Sequence, residues 1–291
     1  MNPKSEITKT ELECIRFYMG DSEIVNKGIF KGGLKAYNTI NALLHLGEGN
    51  EIEKIAEGKE IKLEDTDHVK SYIYLIVHIL FAMEKYKNAN KNENRKLITY
   101  RIDRASAVDH MKHNKFVQGF YSTCKWGFLE EYAHSKENII LLEIHRDENV
   151  PYLDFEKIFE SFYAKPQEAE ILLPFHTRIK SVNEIQMSNE EKEKYVDKNG
   201  NPPIGKYAVT LVSGYNDEDT DASYNDIQDV YNEITSEETV AYIKKCINIL
   251  MKKEVLSDED KKFYCEWKKK FHSYVKKALN LKLKISSNEI V

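Results

Sequence analysis

Glu168 and Glu170 stand one residue apart at the head of the apolar run Ile171-Leu172-Leu173-Pro174. That run reads as a strand, and on a strand residues i and i+2 point to the same face, so both carboxylates are expected to project together. Like charges held that close on a half-buried surface repel, a cost that acid/base or charge-stabilising work would justify. A lone Glu-x-Glu is more often a solvated strand end. The pair therefore takes its meaning from what accompanies it. Upstream, Leu97-Ile98-Thr99-Tyr100-Arg101-Ile102 is a strand-like run carrying one cation, and Gly119-Phe120-Tyr121-Ser122-Thr123-Cys124 is an aromatic run ending in small hydroxyl residues and a thiol.

In order, these give Tyr-Arg, then Phe-x-Ser-Thr-Cys, then Glu-x-Glu followed by Ile-Leu-Leu-Pro. The order and spacing resemble the mono-ADP-ribosyltransferase family, in its Arg/Ser-Thr-Ser/Glu-x-Glu clade of bacterial toxins and vertebrate arginine-specific ectoenzymes. Ile15-Arg16-Phe17-Tyr18-Met19-Gly20 and Tyr37-Asn38-Thr39-Ile40-Asn41-Ala42-Leu43-Leu44 are similar to the amino-terminal helices of that family. Thr177 to Val182 and Lys206 to Val212 look like its closing strands, so the resemblance runs from about Glu11 to about Ser213.

The resemblance implies NAD as co-substrate, with no metal. It assigns Glu170 to stabilising the sugar cation, Ser122 to holding Glu170, Thr123 to supporting the strand, and Arg101 to gripping a phosphate of NAD. Tyr100, Tyr18 and Asn41 would complete the NAD site. Glu168 would orient or deprotonate the acceptor, and Glu at that position goes with arginine. The preceding loop, with Phe162 and Tyr163, would help to choose the target protein. The implied function is that of a bacterial or phage toxin or effector; NAD glycohydrolysis, transfer to nucleic acid, and a catalytically inactive binding module are the alternatives. Two positions depart from the pattern: Cys124 replaces the last Ser and loses a good hydrogen-bond partner, and Ile102 follows Arg101 where small or polar residues are frequent.

Composition bounds these readings. The chain has 291 residues, 41% of them hydrophobic and 31% charged, enough for a sizeable core and unlike a disordered chain. A formal net charge of −5 gives no global attraction to nucleic acid or an acidic membrane. Cys14, Cys124, Cys246 and Cys265 have no paired spacing. Met1 to Glu6 lacks the apolar core of a signal peptide. The longest apolar run, Tyr72 to Met83, falls short of the roughly 20 residues that span a bilayer and reads as a buried helix. A cytoplasmic protein without a membrane span is expected, with leaderless export or delivery into another cell left open.

Periodicity organises the rest. Apolar residues recur at helical spacing over 8–90, and from 96 to 213 the runs are short, β-branched or aromatic, with Asp197-Lys198-Asn199-Gly200-Asn201 as a turn. This predicts an α+β fold: an amino-terminal helical layer and a mostly antiparallel, two-sheet ADP-ribosyltransferase core over 1–215, then a helical extension over 216–291. In that extension Ser257 reads as a helix N-cap with Asp260 closing the box. Phe263, Trp267, Phe271, Tyr274 and Ala278 form its apolar face, and the surrounding lysines could meet a partner, a neutralising protein or nucleic acid, though a solvated helix face is the commoner meaning. His110 and His113 are one helical turn apart but lack a third ligand. No dinucleotide or phosphate-loop glycine motif is present.

Overall fold

The computed structural model describes residues 7–19, 66–90, 97–113, 116–117, 119–126, 129–159, 169–175, 177–214, 224–252 and 254–288. The expectations for Asn41, Phe162, Tyr163 and Glu168 lie outside these residues. The chain divides into two compact units, one of Met1–Ile7 with Met83–Asn216, the other of Thr8–Ala82 with Asp217–Val291. The amino-terminal helices thus group mainly with the carboxy-terminal ones, and the sheet forms a unit of its own.

In the sheet unit, β1 (Ile98–Arg104), β2 (Tyr121–Cys124), β3 (Ile139–Arg146), β4 (Leu153–Asp154), β5 (Glu170–Leu173), β6 (Arg178–Ile185) and β7 (Lys206–Val212) lie in the order β4-β5-β2-β1-β3-β7-β6. All neighbouring pairs are antiparallel except β3 with β7. The fold is therefore α+β with a mostly antiparallel sheet. Where the sequence led us to expect two sheets, the strands hydrogen-bond into one. The join is narrow: β1 pairs with β3 along its whole length, from Ile98↔His145 to Arg104↔Ile139, but with β2 at Tyr100↔Cys124 alone.

Short helices cover the sheet: α3 (Ser106–His113), α4 (Glu130–Ala133), α5 (Phe155–Ile158) and α6 (Asn189–Lys194). Numbering them in chain order leaves α1 (Lys9–Tyr18) and α2 (Thr66–Ala89) before β1. Ser188 caps α6 through a reciprocal box with Glu191. Leu129, Ala133 and Tyr195 bury themselves against Ile102, Cys124, Ile139 and Leu141, so this face of the sheet carries a compact apolar core. The turn at 197–201 is held by Asp197, whose carboxylate accepts from the amides of Asn199 (2.8 Å), Asn201 (2.9 Å) and Asn138 (3.2 Å). Those amides, Asn201 first, pull its pKa below the usual carboxylate range. Gly200, at φ 80°, supplies the left-handed step the turn requires.

Thr123 is buried, and its hydroxyl donates to the Ile171 carbonyl at 2.9 Å, tying β2 to β5. Thr123→Val keeps the shape and deletes the donor, so it is expected to lower stability by about 1–2 kcal/mol. Chemical denaturation would read this as a lower midpoint at constant slope; an unmoved midpoint would show that the bond contributes nothing.

The second unit holds α1, most of α2, and α7 (Tyr224–Ile234), α8 (Glu237–Met251) and α9 (Asp258–Asn288). Thr8 and Glu11 close a capping box on α1. The apolar run at 72–83 is helical and mostly buried, Tyr74 being exposed and His78 half-buried, and among the described residues no helix is long and apolar enough to cross a membrane. Ser257 caps α9, accepting from the Asp260 amide at 3.1 Å. Of the expected face of α9, Trp267 and Phe271 are buried, but Tyr264, Val275 and Leu279 complete the buried stripe, and Phe263, Tyr274 and Ala278 are only half-buried. Both rows have helical spacing. Trp267 is common to both and anchors the helix: its indole N–H donates to the Ile234 carbonyl at 3.2 Å and its ring stacks on Phe271.

Candidate functional site

Arg101, Ser122 and Glu170, scattered along the chain, lie on the consecutive strands β1, β2 and β5. Cys124 is the hub: it pairs with Tyr100 on one side and with Glu170 on the other. Cross-strand partners share a face, so Tyr100, Ser122, Cys124 and Glu170 belong to one face of the sheet. Ser122 itself is opposite Leu172, which leaves Cys124 as the direct neighbour of Glu170. The Cys124 thiol is buried, lies 3.5 Å from the Tyr100 carbonyl, and is pushed up to about 12, first by burial. It is a packing residue rather than a nucleophile.

Arg101 alternates to the other face, with Tyr121 and Thr123. Its Nε donates to Asp103 Oδ2 at 2.8 Å, a terminal nitrogen donates to the Ser122 carbonyl at 2.8 Å, and its guanidinium lies 4.6 Å from the centre of the Tyr121 ring. The single pair between β1 and β2 leaves room for this reach across the strands. A small cleft of about 50 Å³ opens there, lined by Tyr100, Arg101, Ser122, Thr123, Cys124 and Lys136 among others. Glu170 heads β5 one strand further along, half-buried. Tyr18 is buried in the second unit.

Glu168 lies outside the described residues, but the backbone just before Glu170 is not extended. Ala169 is buried with φ 33°, in the left-handed region that a non-glycine residue occupies at a cost of about 1–3 kcal/mol. The strand starts only at Glu170, so the alternation rule does not extend back across Ala169.

Asp103 was not singled out from the sequence, although an acidic residue two positions after an arginine on one strand is a readable signal. Burial would raise its pKa, but Arg101, Lys136 and the hydrogen bonds from Arg101 and the Arg104 amide outweigh this and hold the carboxyl below its ordinary range. A carboxyl depressed in the folded state stabilises above its unfolded pKa of about 3.9 and loses that contribution as pH falls through the folded value. The stability gap between wild type and Asp103→Asn is thus expected to shrink as pH drops below about 4. Thermal unfolding across that range measures it; a gap that stayed constant to the acid limit would remove Asp103 from this role.

Among the described residues no cluster of His, Cys, Asp or Glu could hold a metal ion. His113 Nδ1 instead lies 2.6 Å from the Asp109 carbonyl within α3. Compared with known proteins, the chain matches no protein-family model and no curated protein.

Proposed function

We propose that this chain is a mono-ADP-ribosyltransferase that cleaves NAD and transfers ADP-ribose to protein arginine, acting as a bacterial or phage toxin or effector. The observation that carries the reading is the adjacency of the Arg101, Ser122 and Glu170 strands, with Cys124 bridging Tyr100 to Glu170. A two-sheet core belongs to the same proposal, its halves β4-β5-β2 and β1-β3-β7-β6 meeting at the narrow Tyr100↔Cys124 join.

Breaking the nicotinamide–ribose bond develops positive charge on the sugar, as glycoside hydrolysis does. A fixed carboxylate beside that charge is the largest available electrostatic aid, and Glu170 supplies it. Its backbone is fixed by pairing with Cys124 and by the strained step at Ala169. Arg101 starts from the face opposite Glu170 but reaches into the β1–β2 cleft, where its guanidinium, held by Asp103 and the Ser122 carbonyl, is offered to the NAD diphosphate. Glu168 activates the acceptor nitrogen. Incubating the protein with NAD labelled in its ADP-ribose part and a cell lysate tests the assignment. Label in protein supports it, label in nucleic acid or only free ADP-ribose redirects the acceptor, and intact NAD overturns it.

A further inference from the structure

Trp126 follows Cys124 by two residues, at the end of β2 where β5 begins with Glu170. It is 44% exposed, yet its ring is fixed by T-shaped contacts with Tyr100 (ring centres 4.6 Å apart) and Tyr195 (5.6 Å). An exposed indole held rigid on two aromatic supports offers a π face that needs no ordering before it binds a ligand. Beside it opens a second cleft of about 270 Å³, lined by Trp126, Ser188, Glu190, Glu191, Lys194 and Tyr195. That lies just under the lower end of the range of drug-sized ligand sites and suits a ligand no larger than a small head group.

The charges around this cleft favour a cation. Lys206 lies 5.6 Å from the Trp126 ring centre, but it is neutralised from two sides, by Glu191 at 2.7 Å and Glu143 at 3.3 Å. Lys194 pairs with Glu130 at 3.2 Å. With Glu190 exposed at the rim, four carboxylates stand against two ammonium groups. An aromatic face inside a net-negative rim suits a guanidinium, which stacks on indole and is more weakly hydrated than an ammonium.

We infer that the Trp126 cleft is the seat of the acceptor guanidinium. This rests on the transferase reading for its biological meaning, since Tyr100 lines the NAD-side cleft and packs on Trp126, joining the two clefts through one ring. The test is calorimetric titration of agmatine into the purified 291-residue chain without NAD, comparing wild type with Trp126→Ala and Trp126→Phe. Binding is expected in wild type, at least tenfold weaker in Trp126→Ala and within about threefold of wild type in Trp126→Phe, which keeps a π face. Circular dichroism checks the fold; should the Ala variant unfold, Trp126→Leu, which keeps bulk without a ring, replaces it with the same expected loss. Equal affinity in wild type and the ring-less variant, or no binding to wild type, overturns the inference. Failure of the transferase reading would show separately, as NAD left intact by a protein that still binds agmatine through Trp126.

Discussion

Glu170→Gln is expected to lower nicotinamide release from NAD by on the order of 10²-fold or more while leaving the fold intact, because it removes one charge at nearly constant shape. Glu170 is the first residue of β5, only half-buried, and its side chain is not part of the apolar core. The strand would still pair through Cys124↔Glu170, Thr123↔Ile171 and Ser122↔Leu172, which are backbone contacts. Both hydrolysis and transfer should fall together, since each requires the same bond to break. A purified, folded Gln variant with more than a tenth of wild-type activity would remove Glu170 from the mechanism.

Glu168→Gln is expected to behave differently: transfer to agmatine should be nearly eliminated, whereas a residual NAD hydrolysis persists. One carboxylate serves the nucleophile and the other the sugar cation. The left-handed step at Ala169 fits separate duties, since the strand that fixes Glu170 does not continue back through it. Nicotinamide release and ADP-ribose incorporation should be measured on one enzyme batch. A parallel fall in both would refute the division of labour, and no fall in either would take away the main support for an arginine acceptor.

The strands were legible because β-branched and aromatic runs bounded by turn residues mark them. β7 at Lys206–Val212 and β3 from Ile139 lie where those runs fall. β4 was not legible, because two residues, Leu153 and Asp154, are too few to show a period. Motif order suggested that Arg101, Ser122 and Glu170 converge, but the face each takes depends on register, which no local pattern carries. Tyr100↔Cys124 and Cys124↔Glu170 set it, putting Cys124 rather than Ser122 opposite Glu170 and turning Arg101 toward Asp103. The left-handed backbone at Ala169 was hidden for another reason: alanine does not announce such a conformation as glycine would. In α9 two rows of helical spacing share Trp267 and Phe271, and the burial of Tyr264, Val275 and Leu279 beside them, which tertiary packing sets, selects one.

The central claim is that this chain breaks the bond between nicotinamide and ribose. The most direct measurement is nicotinamide release by the purified 291-residue chain given NAD, with and without agmatine. The account predicts release above the protein-free control in both cases, faster with agmatine and accompanied by ADP-ribosyl-agmatine. No release above that control in either case would contradict it.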